Sequence, residues 1–266
     1  MELTGKSDRK VARAALHYWE EPCISGKEGS GAVFFSGCAL HCVFCQNQNI
    51  ANGIAGKEIS IGRLSEIFLE LQEKGANNIN LVTPGHFVRQ ITEALDLARQ
   101  NGLHLPIVYN TSSYENVETI RMLDGYVDIY LPDYKYRSSR LSEKYSHAPD
   151  YPEVAAKAIA EMVRQTGTAE FAGEPGESLM RRGTIVRHLM LPGHLRDSKD
   201  VLKYLYETYG DTIYISIMNQ LNRKVTEAEY EALLFYADTL GIENGFIQDG
   251  ETAKESFIPE FDGEGV

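Results

Sequence analysis

Short apolar runs of β-forming residues alternate with segments of helical periodicity six times along the chain. Strands that alternate with helices pair in parallel through right-handed crossovers, so this alternation predicts an α/β fold. Six units are too few to close an eight-stranded barrel, and we therefore expect an open, partial (β/α)6 TIM-like barrel with its helices outside. The six expected strands cover residues 32–35, 79–82, 107–109, 126–131, 185–191 and 213–217.

One domain is expected over residues 1–266, although the pattern changes in three places. Ser7 precedes apolar residues at helical spacing, which predicts a helical lead-in over residues 1–30. Residues 168–182 place glycines and a proline between short β-capable pieces, and this composition favours a hairpin. Residues 249–266 are interpreted as an acidic C-terminal tail.

Composition and charge exclude several classes of partner. The net charge is -12 and no run of lysine and arginine is present, so a nucleic-acid-binding protein is not expected. No apolar run has the length that a membrane span requires, and the first ten residues lack the apolar core of a signal peptide. We therefore expect a protein of the cytoplasm that does not bind membranes.

Three of the four cysteines, Cys38, Cys42 and Cys45, fall within eight residues in a CxxxCxxC pattern. Such clustering argues against a disulfide framework and favours a metal site, since thiolates bind both iron–sulfur clusters and zinc. Structural zinc usually takes four ligands, whereas a [4Fe-4S] cluster on three cysteines leaves one iron open to a chelating substrate. The cluster is the favoured interpretation, with zinc or a structural thiol cluster as the alternative. Cys23 is expected to be a small buried residue, and a fourth ligand or a radical donor is its alternative role.

Polar or turn-forming residues follow all six expected strands. In parallel α/β folds the chemistry lies at the carboxyl ends of the strands, so the six groups predict one shared site at the barrel mouth. In chain order the groups are Cys38 to Cys45, Thr83 to His86, Asn110 to Ser113, Asp133 with Lys135, Arg187 to His194, and Asn219 with Gln220.

The cysteine pattern, with the aromatic Phe44 directly before the third cysteine, resembles that of the radical S-adenosylmethionine superfamily. The resemblance covers nearly the whole chain and is nearest to an uncharacterised branch similar to pyruvate formate-lyase activating enzyme. It implies a [4Fe-4S] cluster whose open iron is chelated by S-adenosylmethionine, and reductive cleavage to a 5′-deoxyadenosyl radical that abstracts hydrogen from a substrate. Further matching segments are Glu20-Glu21-Pro22, Gly29-Ser30-Gly31, Asn80 to Pro84, Leu131 to Lys135, Arg187 to Gly193 and Phe261-Asp262-Gly263.

The resemblance also implies roles for residues near the cofactor. Phe44 would flank the adenine, although packing within the cluster loop is an equally good interpretation. Thr83, Pro84 and Gly85 stand where the family usually has a Gly-Gly-Glu that binds the methionine amino group. This chain has no glutamate there, so the Thr83 hydroxyl and backbone carbonyls are the expected acceptors.

Further along, Asn110 and Ser112 would contact the methionine or the ribose, with a helix cap as the alternative for Ser112. Asp133 and Lys135 resemble the Asp-x-Lys of glycyl-radical activating enzymes. The resemblance implies that Lys135 pairs with the methionine carboxylate, while Asp133 reaches the ribose or a bound monovalent cation.

Two positions near the end of the sheet complete the candidate site. Arg187 and His188 are adjacent on one strand, so only one of them can face the barrel interior, and we expect Arg187. With Asp133 and Lys135, Arg187 makes up the expected catalytic set. Gln220, or its neighbour Asn219, falls where the activating enzymes often place a ribose-binding histidine.

Three functions remain open at this stage. The first is an activating enzyme that abstracts hydrogen from a glycine of a partner protein, a glycyl-radical enzyme, and takes electrons from a flavodoxin or ferredoxin. The second is a radical enzyme that acts on a small molecule or a peptide side chain. The third is a metal-binding or electron-transfer module without a reaction of its own.

Overall fold

The computed structural model describes residues 10–174, 176–219, 225–248 and 259–266. Within these ranges one sheet follows the order β10-β9-β8-β6-β5-β4-β2-β1-β3, and β7 pairs with β8 off this path. The strands are β1 Lys10–His17, β2 Ser30–Phe35, β3 Lys57–Glu58, β4 Ile79–Val82, β5 Ile107–Thr111, β6 Ile129–Pro132, β7 Glu170–Ala172, β8 Leu179–Met190, β9 Tyr214–Asn219 and β10 Gly245–Ile247.

The six expected strands are all present and parallel to their neighbours, from β2 through β4, β5, β6 and β8 to β9. β10 extends the parallel run, whereas β1 and β3 add antiparallel pairs at the other edge. In the described residues the sheet does not close on itself. The expectation of an open partial barrel is therefore confirmed.

Helices cover the outside of the sheet, and side-chain caps fix where several of them begin. Ser60, Asn116 and Ser138 each accept a backbone N–H at the start of a helix, and Thr226 with Glu229 forms a complete capping box. No helix of the described residues is long and apolar enough to cross a membrane. The helices are α1 Pro22–Ser25, α2 Gln48–Ala51, α3 Ile61–Glu73, α4 Val88–Gln100, α5 Val117–Arg121, α6 Ser139–Ser146, α7 Tyr151–Thr166, α8 Leu195–Tyr209 and α9 Glu227–Leu240.

The expectation of a helical lead-in over residues 1–30 is wrong for its described part. Lys10–His17 forms β1, antiparallel to β2, and only the four residues of α1 are helical. A register irregularity between Val11 and Arg13 interrupts the alternation of the strand. This bulge gives the apolar residues a spacing that resembles a helix, and pairing with β2 determines the outcome.

The hairpin expected at residues 168–182 is present, since β7 pairs antiparallel with the start of β8. β8 is longer than expected and runs for 12 residues. The second strand of the hairpin and the fifth barrel strand are therefore one continuous strand.

Residues 259–266 of the expected tail return to the edge of β1. The Ala14 N–H donates to the Glu264 carbonyl at 2.9 Å, and the Gly263 N–H donates to the Ala12 carbonyl at 3.1 Å. The remainder of the tail, residues 249–258, lies outside the described part of the chain.

Alternation along the strands separates the two faces of the sheet. Outward side chains such as Leu81, Tyr109 and Tyr130 pack into the core that contains the helices. Below the carboxyl ends of the strands, inward side chains surround Cys23 and Ile24 of α1. These two residues fill the interior of the barrel at that level. The apolar residues of this lower layer are Cys23, Ile24, Val108, Ile129, Leu131, Met180 and Ile185. They leave the upper part of the barrel for polar residues.

Candidate active site at the barrel mouth

A cavity of about 780 Å³ opens at the carboxyl ends of the parallel strands. Its volume is in the range of small-molecule and cofactor sites. Pro84 and Gly85 of the expected site are not among the residues that line it, and Gln220 lies outside the described residues. The expected residues that line the cavity are Cys38, Cys42, Phe44, Cys45, Thr83, Asn110, Ser112, Asp133, Lys135 and Arg187.

The cysteine loop follows β2 and is held by backbone hydrogen bonds. The Cys38 N–H donates to the Ala51 carbonyl at 3.1 Å, and the Cys45 N–H donates to the Cys42 carbonyl at 3.0 Å. The loop also packs against the end of α6, where the Ser146 hydroxyl lies 3.0 Å from the Cys42 Sγ and donates to it. The three thiols therefore belong to one fixed loop at the cavity wall.

Burial of the loop disfavours free thiolates, while a neighbouring cation favours them. Burial raises the pKa of Cys38 to about 11 and also raises that of Cys45, while the nearby Lys135 ammonium acts to lower both. Cys42 also acts to raise the pKa of both other thiols. Among the described residues no three His, Cys, Asp or Glu side chains are arranged to hold one metal ion. A cubane distributes its cysteines over different irons, and the donor set fits this arrangement.

Arg187 is the centre of a buried charge network below the cysteine loop. Its Nε donates to the Asp133 Oδ1 at 3.0 Å, and its two terminal nitrogens donate to Glu20 at 3.2 Å and to Asn110 at 2.6 Å. Lys135 forms an ion pair with the other oxygen of Asp133. The sequence prediction for Asp133, Asn110, Lys135 and Arg187 thus corresponds to four side chains that the fold brings together.

The network fixes the protonation of its members. Burial acts to raise the pKa of Asp133, but the charges of Lys135 and Arg187 outweigh it and the pKa is lowered. Burial acts to lower the pKa of Lys135, but the Asp133 carboxylate outweighs it and the pKa is raised. Asp133 is therefore anionic and Lys135 cationic at neutral pH, with Lys135 beside the cysteines.

Arg187 and His188 face opposite sides of β8. Arg187 lines the cavity, whereas His188 is buried on the helix side, where its Nδ1 donates to the Tyr134 carbonyl at 2.9 Å. Burial lowers the pKa of His188 to about 4, so this side chain is neutral. The structure therefore places Arg187 inside, as the alternation argument expects.

Thr83 occupies an unusual backbone position at the end of β4. Its φ is 57°, in the left-handed region that side chains rarely adopt, and its N–H donates to the Asn110 carbonyl at 2.9 Å. Such conformations persist only where the surroundings impose them. The ends of β4 and β5 are thus tied together at the cavity.

Sequence reasoning assigned no role to Glu20, Glu21, Asn80 or Ser216. Glu20 accepts hydrogen bonds from Asn80 at 3.1 Å and from Asn110 at 3.2 Å, besides its ion pair with Arg187. Glu20 and Glu21 belong to the Glu20-Glu21-Pro22 segment that contributes to the family resemblance. The proline at the first position of α1 was the available signal, because it marks the helix start and so places both carboxyls in the preceding connection.

Glu21 differs from Glu20 because fewer hydrogen bonds and ion pairs offset the burial of its carboxyl. The residue is 8% exposed, and its Oε2 has no hydrogen-bond partner among the described residues. Burial raises the pKa of Glu21, although Arg187 and the Ser216 hydroxyl act in the opposite direction. Among the described residues that line the cavity, Glu21 thus has a buried side-chain oxygen without a hydrogen-bond partner.

Cys23 lies apart from the cysteine loop in the apolar layer below the cavity. Burial raises the pKa of its thiol to about 12, so it stays protonated and unreactive at neutral pH. This position is consistent with the small buried role expected for Cys23.

Residues 24–147 match the model of a family described as a 4Fe-4S single cluster domain. A curated relative, the uncharacterised protein MJ0674 of Methanocaldococcus jannaschii, is 24% identical over 250 residues, which cover 86% of this chain and 67% of the relative. The matched family segment contains the three cysteines and extends past Lys135. The comparison agrees with the single cluster expected from the cysteine pattern.

Solved structures share the fold at low sequence identity. SuiB of Streptococcus suis, bound to S-adenosylmethionine, matches with a TM-score of 0.52 and 11% identity over 80% of this chain and 45% of its own. The chain thus spans less than half the length of SuiB. The protein anSMEcpe with bound AdoMet matches with a TM-score of 0.54 and 11% identity over 80% of this chain and 61% of its own. Methylornithine synthase (PylB) matches with a TM-score of 0.53 and 13% identity over 79% of this chain and 68% of its own.

These structures bear out the open partial barrel. The 4Fe-4S single cluster match over residues 24–147 and the shared barrel fold agree with the resemblance of the sequence to the radical S-adenosylmethionine superfamily.

Proposed function

We propose that the chain is a radical S-adenosylmethionine enzyme that holds a [4Fe-4S] cluster on Cys38, Cys42 and Cys45. The observation that carries the proposal is that these cysteines and the Lys135–Asp133–Arg187 network line one cavity. When bound, the cluster would supply an electron to S-adenosylmethionine, whose cleavage would give the 5′-deoxyadenosyl radical that abstracts hydrogen. The protein binds and orients these groups.

The side chains support distinct tasks. Lys135 is a cation beside the cysteines, and we assign it to the methionine carboxylate. Asp133 is anionic and would accept a hydrogen bond from the ribose or bind a monovalent cation. Arg187 holds Asp133 in place by donating a hydrogen bond to it. Phe44 is buried at 5% exposure and meets Tyr136 edge to face, which supports a fixed aromatic wall for the adenine. Thr83, Asn110 and Ser112 are the remaining polar lining residues assigned to the cofactor.

For the reaction, we propose a glycyl-radical-type activating enzyme that takes its electrons from a flavodoxin or ferredoxin in the cytoplasm. The resemblance of Asp133-x-Lys135 and of the strand with Arg187 to activating enzymes supports this assignment. The target would be a glycine in an extended segment of a partner protein.

A peptide side chain is the second candidate target. SuiB, whose fold the chain shares, has been solved bound to the precursor peptide SuiA, with a TM-score of 0.52 at 13% identity. Three exposed apolar side chains, Tyr18, Trp19 and Ile247, line this cavity at its rim. Such a rim suits a peptide better than a fully enclosed metabolite.

The first experiment is anaerobic reconstitution with iron and sulfide, followed by electron paramagnetic resonance of the reduced protein with and without S-adenosylmethionine. We expect a cubane signal that changes when the cofactor is added, and release of 5′-deoxyadenosine. Cys45→Ala should lose the signal and the bound iron, while Cys23→Ala, a matched control below the cavity, should keep both. A zinc-filled protein, or a signal that is insensitive to the cofactor, would favour the metal-binding or electron-transfer module instead.

The target is tested separately. Reduced enzyme incubated with candidate glycyl-radical proteins should give a glycyl doublet in electron paramagnetic resonance. With deuterated peptides, transfer of deuterium into 5′-deoxyadenosine would identify a side-chain target. Cofactor cleavage without a doublet, but with label transfer from a peptide, would replace the first candidate by the second.

A further inference from the structure

The cavity has two chemically different ends. At one end, Lys135 acts on the thiols of Cys38 and Cys45. At the other end, Glu21 on the connection between β1 and α1 faces Ser216 of β9. The wall around Glu21 also contains Met218 of β9, Phe246 and Ile247 of β10, and Gln248. The cofactor roles proposed above use none of the residues at this second end.

The carboxyl of Glu21 is built into this end and is incompletely paired. It is more than nine-tenths buried, lines the cavity, and leaves its Oε2 without a hydrogen-bond partner among the described residues. A buried polar atom without a partner carries its full desolvation penalty. A ligand that donates a hydrogen bond to this oxygen removes the penalty.

The balance of charge in the cavity indicates which donor fits. Its described lining contains three carboxyl groups, Glu20, Glu21 and Asp133, and two permanent cations, Lys135 and Arg187. Asp133 forms ion pairs with both cations, and Glu20 forms one with Arg187. Within the described part of the chain, Glu21 has no ion-pair partner. Burial raises the pKa of Glu21, and a cation bound beside it would favour its carboxylate form.

The geometry favours a primary ammonium over a guanidinium. A guanidinium binds best to both oxygens of a carboxylate at once, whereas Ser216 already lies against the Glu21 carboxyl. An ammonium is compact and can donate to the free Oε2 and to the Ser216 hydroxyl together. Met218 and Phe246 offer apolar surface for the methylenes next to the nitrogen.

We propose that Glu21 and Ser216 recognise a primary ammonium group of the substrate, opposite the cysteine end of the cavity. The inference rests on the proposed function, because it supplies the substrate class for the same site. The ammonium belongs either to a lysine side chain of a peptide or to a free amine. Binding is a property of the chain itself, so it is measured without turnover.

The test measures binding to the full chain by isothermal titration calorimetry, with two ammonium probes and a neutral partner for each. The probes are n-pentylammonium against 1-pentanol, and acetyl-Gly-Lys-Gly-amide against the same peptide acetylated at the lysine Nε. The variants are Glu21→Gln, Ser216→Ala and the control Glu28→Gln, which removes the same charge from an exposed residue near α1.

We expect wild type and Glu28→Gln to bind an ammonium probe at least tenfold more tightly than its neutral partner. Glu21→Gln should lose this preference and Ser216→Ala should weaken it. A preference for the peptide alone assigns the site to a lysine side chain, and a preference for n-pentylammonium alone assigns it to a free amine. The proposal is overturned if wild type does not discriminate, or if Glu21→Gln discriminates equally well.

The cofactor itself also carries an amino group, and a further measurement separates the two. Binding of S-adenosylmethionine to the reconstituted protein should be the same for Glu21→Gln and wild type. A tenfold weaker cofactor affinity with an unchanged preference for the ammonium probes would place Glu21 in the cofactor site and overturn the proposal. Because the probe titrations need no radical, ammonium binding by a chain that does not cleave the cofactor would refute the proposed function alone.

Discussion

The guanidinium of Arg187 donates hydrogen bonds to three largely buried acceptors. Each of its three nitrogens donates one hydrogen bond, to Asp133, Glu20 and Asn110 in turn. The carboxylates of Asp133 and Glu20 are largely buried. The planar fork of arginine makes this distribution possible, whereas a lysine offers one point charge. Among the described residues Glu20 therefore depends on Arg187 alone for its neutralisation, while Asp133 shares it with Lys135.

Removing Arg187 should destabilise the fold strongly. Arg187→Met leaves Glu20 without an ionic partner and Asp133 with Lys135 only, so the free energy of unfolding should fall by about 3–5 kcal/mol. Arg187→Lys keeps the charge and should lose less. Urea denaturation at pH 7 measures both variants. A loss of under 1 kcal/mol in Arg187→Met would contradict the role of the network.

His188 should make the stability depend on pH below neutrality. The unfolded chain takes up a proton on His188 near its ordinary pKa of about 6.5, whereas the folded chain does so only near about 4. Stability is therefore lost as the pH falls from 6.5 to about 4, by about 3 kcal/mol for this residue, and the loss levels off below.

The matched variants isolate this contribution. His188→Gln keeps a donor for the Tyr134 carbonyl and should lose less stability over the same pH range than wild type. The exposed His104→Gln should follow the wild-type curve. Urea denaturation between pH 4 and pH 7 gives the three curves, and parallel curves for His188→Gln and wild type would rule out this assignment.

At the scale of elements, the ends of the parallel strands decide which loops form the site. Thr83 ends β4 in a left-handed conformation, and the residues after it pack over β5 and its loop. Gly85 lies against the half-buried Glu115, which accepts hydrogen bonds from Tyr109 and Thr111. The loop thus depends on a glycine that approaches a carboxyl group closely.

A side chain at Gly85 should displace this loop. A Cβ there would lie 2.6 Å from a Glu115 carboxyl oxygen, so Gly85→Ala should push this carboxyl away from Tyr109 and Thr111, at a cost of about 1 kcal/mol for each lost hydrogen bond, and weaken binding of S-adenosylmethionine. Gly62→Ala in α3 is the control, because its Cβ meets nothing closer than 3.8 Å. The control should be neutral or slightly stabilising in thermal unfolding. Unchanged cofactor affinity in Gly85→Ala would contradict the placement of this loop.

The elements that sequence predicted best have strong local signals. The capping box at Thr226 fixes the start of α9. The apolar run at Ile79–Val82 forms β4 with the same bounds that the sequence predicts. β1 was missed because its bulge mimics helical spacing, and pairing with a strand some 20 residues later is not visible locally. Glu20 and Glu21 were missed with it, since their place depends on where β1 ends.

At the scale of the whole molecule, the site forms because seven parallel strands end at one mouth. This convergence explains why Asp133, Lys135 and Arg187 could be predicted from positions after strands without a structure. The Arg187–Glu20 contact could not be predicted in this way, because Glu20 enters from a connection rather than from a strand end. The sequence therefore indicates the cysteine end of the cavity better than the opposite end.

The sheet also depends on contact between distant parts of the chain at β1. A Cβ at Gly265 would lie 2.1 Å from the Ala14 carbonyl oxygen, so Gly265→Ala should detach residues 263–265 and expose the edge of β1. Exposed strand edges promote association, and we expect increased light scattering on mild heating. Gly125→Ala, which has a similar positive φ and no atom within 4 Å, is the control and should scatter like wild type. Equal scattering by the two variants would refute this expectation.

The pairing of β1 with residues 263 and 264 has a consequence for the order of events during synthesis. Arg13 and Glu264, which form an ion pair at this contact, are separated by 251 positions. A ribosome releases β1 early, but its partner emerges only after the barrel strands have been made. The edge beside the cysteine-bearing half of the sheet is thus completed late in synthesis.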